Sequence, residues 1–219
     1  YEKLDTAGTP STTVTDNPNN LDTTNVTLTA TNTVQEGGQI TYTAKLTNPA
    51  GSAMTVSLSN GSTITIAKNA TEGSVTVDAP RNTVYVDNTN VSATITGTTG
   101  GDFERVSVSP TAAVTSVTDT IDTSTVTLTA TPSVVEGGVI TYTATVSAPV
   151  TGSPLVVSLA NGQQITIAVN ATSGSVNYTA PNNVYATNAP VTNSITGTSG
   201  GNYEKLDTAG TPSTTGNDN

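Results

Sequence analysis

Residues 40–47 read Ile40-Thr41-Tyr42-Thr43-Ala44-Lys45-Leu46-Thr47. Apolar and polar side chains alternate without a break, the signature of a strand with one face buried and the other in water. Upstream, Val26, Leu28 and Ala30 alternate in the same way with Thr27, Thr29 and Thr31. Downstream, Met54, Val56 and Leu58 form another run, and Ile64 and Ile66 one more, with Asn60-Gly61 between them. Asn-Gly between alternating runs is the strongest short-range hairpin signal. Val75 and Val77 mark a fifth strand, Val91, Ala93 and Ile95 a sixth, and Phe103, Val106 and Val108 place a seventh. No stretch sustains the 3.6-residue period of an amphipathic helix.

The pattern then starts again. Val26–Thr31 returns as Val126–Thr131, Glu36-Gly37-Gly38 as Glu136-Gly137-Gly138, Tyr42-Thr43-Ala44 as Tyr142-Thr143-Ala144, and Ile95–Thr98 as Ile195–Thr198. A period of about 100 residues is longer than a solenoid repeat and matches one autonomous domain. Tyr1–Thr13 is identical to Tyr203–Thr215, so the chain opens with the tail of a further copy. The division read from this is residues 1–20 as the tail of a preceding repeat and its linker, 21–118 as the first repeat, 119–124 as a linker, and 125–219 as the second repeat. Seven short strands per copy, with turn signals every 8–12 residues, predict an all-β fold of two tandem immunoglobulin-like seven-strand β-sandwich domains in an elongated array. The cores should rest on Ile40, Tyr42 and Leu46 in one copy and on Ile140, Tyr142 and Val146 in the other. Residues 1–20, lacking the other strands of their domain, should pack poorly.

Composition narrows the chemistry. The 219 residues carry a net charge of −10, with 16 Asp+Glu against 6 Lys+Arg, no Cys, no His and no Trp. Absence of Cys removes disulfides, thiolate nucleophiles and zinc–sulfur sites. Absence of His removes the Ser-His-Asp triad and the usual general base. The acidic balance argues against a nucleic-acid partner, and no apolar run approaches the length that spans a bilayer. Forty-nine residues are Thr, a β-branched type that suits a pleated surface.

The remaining candidates for chemistry are the acids. No Lys or Arg lies between Arg105 and Lys205, an interval that includes Asp119, Asp122 and Glu136. In a sandwich of this topology, the turn after the first strand, the fifth-to-sixth connection and the exit of the last strand share one end. Glu36, Asp87, Asp119 and Asp122 occupy those positions. Their convergence without a neutralising base points to Ca²⁺, which takes 6–8 hard oxygen ligands. The plain alternative is a set of solvated turn residues. A second group, Asp102 and Glu104, sits in the sixth-to-seventh turn at the other end, with Glu2 and Glu204 in the same setting. Pairing with the next residue (Lys3, Arg105 or Lys205) is poor geometry, because adjacent residues on a strand face opposite ways. Glu136 is the counterpart of Glu36, and Asp16 and Asp22 precede the first repeat as Asp119 and Asp122 precede the second. All nine of Glu36, Asp87, Asp119, Asp122, Asp102, Glu104, Glu136, Asp16 and Asp22 are candidate calcium ligands. Asp119 and Asp122 as a glycosidase pair would need a cleft that the sequence does not suggest, so no enzyme activity is expected.

The combined run VTLTAT…VEGG.ITYTA…VSL.NG..ITIA…GSV…AP…VY…ITGT.GG.(F/Y)E resembles the bacterial immunoglobulin-like repeats of very long RTX adhesins, the type I-secreted proteins that include biofilm and ice-binding adhesins. The resemblance covers both repeats. It implies an extender, stiffened by calcium in and between repeats, that holds distal binding domains away from the bacterial cell surface. It further implies an extracellular, monomeric protein whose partners are neighbouring repeats of its own chain. A loop-based binding module for a glycan or a protein is the competing expectation. Recognition of that kind normally uses exposed aromatics, and the chain has seven Tyr and one Phe, mostly at strand positions.

Overall fold

The computed structural model describes residues 8–15, 23–87, 89–182 and 190–217. Asp16 and Asp22 fall outside them. Among the described residues all regular secondary structure is β-strand. The first repeat forms β1 (Thr23–Ala30), β2 (Thr33–Gln35), β3 (Gln39–Leu46), β4 (Met54–Leu58), β5 (Thr63–Ile66), β6 (Glu72–Asp78), β7 (Asn90–Ala93), β8 (Ile95–Gly100), β9 (Arg105–Val108) and β10 (Ala113–Thr118). The second forms β11 (Thr123–Ala130), β12 (Ser133–Val135), β13 (Val139–Val146), β14 (Leu155–Leu159), β15 (Gln164–Ile167), β16 (Ser173–Thr179), β17 (Val191–Thr192), β18 (Ile195–Ser199), β19 (Lys205–Ala209) and β20 (Ser213–Asn217). These are the seven strand positions of an immunoglobulin-like sandwich, with the first, sixth and last each broken in two.

In the second repeat one layer has the order β16-β13-β11-β19. The opposing layer is made of β15-β14-β18 and β12-β20-β17, which run into each other because β17 and β18 are halves of one strand. The first repeat shows the same β6-β3-β1-β9 and β5-β4-β8 sheets, and β10 pairs antiparallel with β7. The expected hairpins close at Asn60-Gly61 and Asn161-Gly162, where the glycines adopt φ of +84° and +82°, a region open to glycine at little cost.

The alternation read from the sequence sets the strand phase. Ile40, Tyr42, Val56, Ile64 and Ile66 are fully buried in the first repeat, and Ile140, Tyr142, Val157, Ile165 and Ile167 in the second. Each such aliphatic side chain contributes about 1.5–3 kcal/mol relative to its exposed state. Thr41, Thr43 and their counterparts stay on the outer face.

The last strand departs from the sequence reading. Arg105–Val108, taken as the closing strand, instead pairs parallel with β1, Thr23 opposite Arg105 and Val26 opposite Val108. The chain crosses to the other layer around Pro110, and β10 closes it there. The inward positions of β10 are Ala113, Thr115 and Val117. Thr115 is fully buried and donates its Oγ1 to the Thr31 carbonyl at 2.7 Å. A hydroxyl on the core side blurs the apolar alternation that reveals the other strands.

The chain divides into two compact units whose borders do not follow the repeats. The first comprises the described residues of Tyr1–Asn32, with Gln39–Asp78 and Asn90–Ser116. The second comprises the described residues of Thr33–Gly38, Ala79–Thr89 and Val117–Asn219. It therefore includes three pieces of the first repeat's sequence: the turn at 33–38, the connector at 79–89, and the end of β10 from Val117 to Thr118. Residues 8–15 form no strand, and Val14 is 92% exposed.

Candidate metal centre

Backbone hydrogen bonds assemble the site within the second unit. Glu36 lies in the turn after β2, where its N–H donates to Thr118 O at 3.1 Å. Gly37 N–H donates to Pro80 O at 2.6 Å and Ala79 N–H to Gly38 O at 2.8 Å. The turn is thereby fixed to both the end of β10 and the start of the connector.

The connector is held in turn by the second repeat's own residues. Val86 N–H donates to Asn202 O at 3.0 Å and Glu204 N–H to Val84 O at 3.1 Å, flanking an antiparallel bridge between Tyr85 and Tyr203. The Asn202 side-chain amide donates to Val86 O at 3.1 Å. The Tyr85 and Tyr203 rings lie 5.5 Å apart, centre to centre, in the range where tilted aromatic pairs attract. Asn82 Nδ2 donates to Asp122 Oδ2 at 2.8 Å, Thr83 Oγ1 to Asp87 Oδ2 at 3.3 Å, and the Asp122 N–H to Glu204 Oε2.

This framework brings acids together. One carboxylate oxygen from each of Glu36, Asp119 and Glu204 lies within 4.8 Å of the others. Glu36 is only 8% exposed, and both its oxygens are buried without a hydrogen-bond partner. Asp87 Oδ1, Asp119 Oδ1 and Glu204 Oε1 are also buried and without a partner. Among the described residues the ion pairs are Lys45–Glu72 at 3.2 Å and Lys205–Asp207 at 3.4 Å, both on exposed side chains; neither touches this group.

The electrostatic consequence is large. The Glu36 carboxyl is pushed up to about 7, first because its protonated form can hydrogen-bond the Asp87 carboxylate, then by burial, then by the same option toward Asp119 and by both neighbouring negative charges. At Glu204 the Asp122 N–H favours the carboxylate, but burial and Asp119 outweigh it, and the net shift is upward. Burial and like charge both disfavour ionisation. A divalent cation reverses both effects by supplying the missing opposite charge. Oxygens ligating one Ca²⁺ at 2.3–2.6 Å are at most roughly 5 Å apart, and the spacing of Glu36, Asp119 and Glu204 fits within that sphere.

The other candidates are spread out. Glu204, read with the group at the far end of the domain, instead joins Glu36 and Asp119. Lys205, the next residue, turns to Asp207, as strand parity requires. The main chance of finding Glu204 lay in that parity, which leaves it without its adjacent base. Asp87 and Asp122 border the three-acid group. Asp102 and Glu104 are exposed in the first unit. Glu136 is buried and its N–H donates to Asn217 O at 2.9 Å, away from the three-acid group. Among the described residues no exposed aromatic cluster accompanies the loops: Tyr85 and Tyr203 are half-buried against each other.

Comparison with known families is specific. The model of the LapA domain matches the chain twice, at residues 22–120 and 122–218. No curated protein matches it.

Proposed function

The chain belongs to the LapA-domain family of adhesin repeats, and from that premise we propose that it is an extender of a bacterial cell-surface adhesin, stiffened by Ca²⁺ held on Glu36, Asp119 and Glu204. The family is not enzymatic, and an adhesin repeat belongs at the cell surface or outside the cell. The observation that carries the calcium reading is Glu36. Its two carboxylate oxygens are buried without a donor beside two further acids, an arrangement that costs free energy until a cation enters.

The mechanism is mechanical. Glu36 and Asp87 come from the first repeat's sequence, Asp119 and Asp122 from the stretch that joins the two repeats, and Glu204 from the second repeat. Without metal their charges repel. With calcium they share one ion, and the turn, the connector and the 119–122 stretch lose independent freedom. Asp87 and Asp122 complete the oxygen set together with backbone carbonyls. The resemblance to RTX adhesins extends this reading to type I secretion and to distal binding domains carried by the parent protein.

Calorimetry tests it. Extracellular calcium modules bind with Kd of roughly 10⁻⁴–10⁻³ M, so millimolar Ca²⁺ fills the site and micromolar does not. Tenfold to hundredfold saturation stabilises the fold by about 1.4–2.7 kcal/mol. The melting temperature rises accordingly, Mg²⁺ at equal ionic strength does much less, and Glu36→Gln with Glu204→Gln abolishes the effect while the chain stays folded. Small-angle scattering with Ca²⁺ and with chelator reads the stiffening directly. No binding heat and no melting shift in millimolar Ca²⁺ would refute the stiffened extender.

A further inference from the structure

The closing strand of the second repeat is held by a few fixed groups. In β20, Thr214 is fully buried and donates its Oγ1 to Thr131 O at 2.7 Å, and Thr215 N–H donates to Pro132 O at 2.9 Å. Thr214 stands opposite Val191 of β17, and Thr215 opposite Ser133 of β12. β10 closes the first repeat in the same register. Thr115 stands opposite Val91 and donates its Oγ1 to Thr31 O, and Ser116 N–H donates to Asn32 O. Counted from these threonines, Val117 matches Gly216. Val117 is 4% exposed, whereas glycine brings no side chain to that place and weakens a strand interior. The chain carries a third version of the strand. Gly8–Thr13 is identical to Gly210–Thr215, and the next residue is Val14, where β20 has Gly216. Ser11–Thr15 thus combines the inward threonine of β20 with the inward valine of β10, yet residues 8–15 are all exposed and lie in no strand.

We infer that Ser11–Thr15 of one copy of this chain closes the second repeat of another copy, in exchange for that repeat's own Ser213–Asn217. The partner follows from the sequence. Ser11, Thr12 and Thr13 reproduce Ser213, Thr214 and Thr215 residue for residue, so Thr12 reaches Thr131 O and Thr13 N–H reaches Pro132 O. Val14 then leaves water for the place that Val117 fills in the first repeat, a gain that Gly216 cannot supply. The resident strand keeps one advantage. It is tethered to its slot, at an effective concentration of roughly millimolar order. Exchange is therefore minor in dilute solution and grows as chains approach that concentration. Donor segment and acceptor slot are different surfaces, so the contact is heterologous and joins copies head to tail. No metal takes part in it.

The chain has no cysteine, so engineered thiols report the exchange. Thr192 and Ser213 are exposed and stand opposite each other on antiparallel strands, within disulfide reach. Thr192→Cys with Ser213→Cys in one chain is the control. The test mixes a donor chain carrying Ser11→Cys with an acceptor chain carrying Thr192→Cys, at a concentration on the order of 1 mM. Mild warming, slow oxidation and mass spectrometry follow. The expected product is the donor–acceptor disulfide, severalfold above the yield with an acceptor carrying Gln164→Cys, an exposed position on β15. Val14→Gly in the donor, which changes an exposed side chain, lowers that yield about tenfold, the worth of a buried valine. Gly216→Val in the acceptor lowers it by a similar factor, because the resident strand then matches the donor. A yield no higher than that with Gln164→Cys overturns the exchange, and so does a yield indifferent to Val14→Gly. Failure of the control to close within its own chain overturns the register on which the inference is built.

Discussion

Tyr85 donates its hydroxyl to the carbonyl oxygen of Pro149 at 2.7 Å, across 64 residues of sequence. Tyr203 donates to the adjacent carbonyl, Ala148 O, at 2.6 Å. Two tyrosines with paired rings thus bind two consecutive carbonyls, and the Tyr85 hydroxyl adds a side-chain tie to the backbone pairing that holds the connector against Asn202–Glu204. Tyr85→Phe removes one hydrogen bond and lowers stability by about 1 kcal/mol. Tyr85→Ala also removes the ring pair, worth about 0.5–1.5 kcal/mol beyond its buried area, and costs more. Urea unfolding of the two variants separates the contributions, and an unchanged midpoint for Tyr85→Ala would count against the connector as a structural tie.

The metal-free protein should become less stable as pH rises from 5 to 8. Glu36 titrates at about 7 in the fold against an ordinary 4.5, so the folded state binds more protons than the unfolded state between those values. Stability falls with pH wherever that is so. In chelator the melting temperature drops across this window, and Glu36→Gln flattens the profile. In Ca²⁺ the trend reverses, because protons compete with the ion for the same oxygens. A metal-free profile that rises with pH would contradict the acid cluster.

Tyr42 is fully buried, and its hydroxyl has no hydrogen-bond partner. A buried polar group left unpaired costs about 1–3 kcal/mol. Tyr42→Phe is therefore neutral or stabilising by up to about 1 kcal/mol, which reverses the usual sign for a core substitution. Tyr42→Ala opens a cavity and costs about 3–5 kcal/mol. Thermal melts of both variants check the contrast.

Identical sequence in two settings offers a further test. Thr214 is fully buried and donates its Oγ1 to Thr131 O at 2.7 Å, whereas Thr12, its counterpart near the start of the chain, is exposed and lies in no strand. Thr215 N–H donates to Pro132 O at 2.9 Å. Hydrogen exchange should be at least tenfold slower at Thr215 than at Thr13. Equal protection would mean that the early segment has found a partner of its own.

The fold is legible wherever burial and polarity agree. Ile40, Tyr42 and Ala44 are apolar and inward, their threonine neighbours polar and outward, and Asn60-Gly61 marks the hairpin between β4 and β5. The reading fails at β10, where Thr115 sits in the core by virtue of a bond to Thr31 O while Val114 is 50% exposed. At the site, loop positions alone place Glu36, Asp87 and Asp119 at one end of a sandwich. Glu204 is different: nothing local in Tyr203-Glu204-Lys205 shows that this turn meets the connector, because that contact is made of backbone pairing and rings rather than of complementary charge.

The division of the acid set between two sequence copies has a consequence for how such a gene can change. Glu36 and Asp87 come from one copy, Asp119 and Asp122 from the joining stretch and Glu204 from the next copy, so one repeat alone never holds the complete set, and an array holds one set fewer than it has repeats. Unequal recombination between related copies then adds or removes length in whole steps. Each step creates or deletes one complete set and leaves the others intact, so the number of acid sets becomes heritable in discrete increments while the chemistry at every remaining position stays the same.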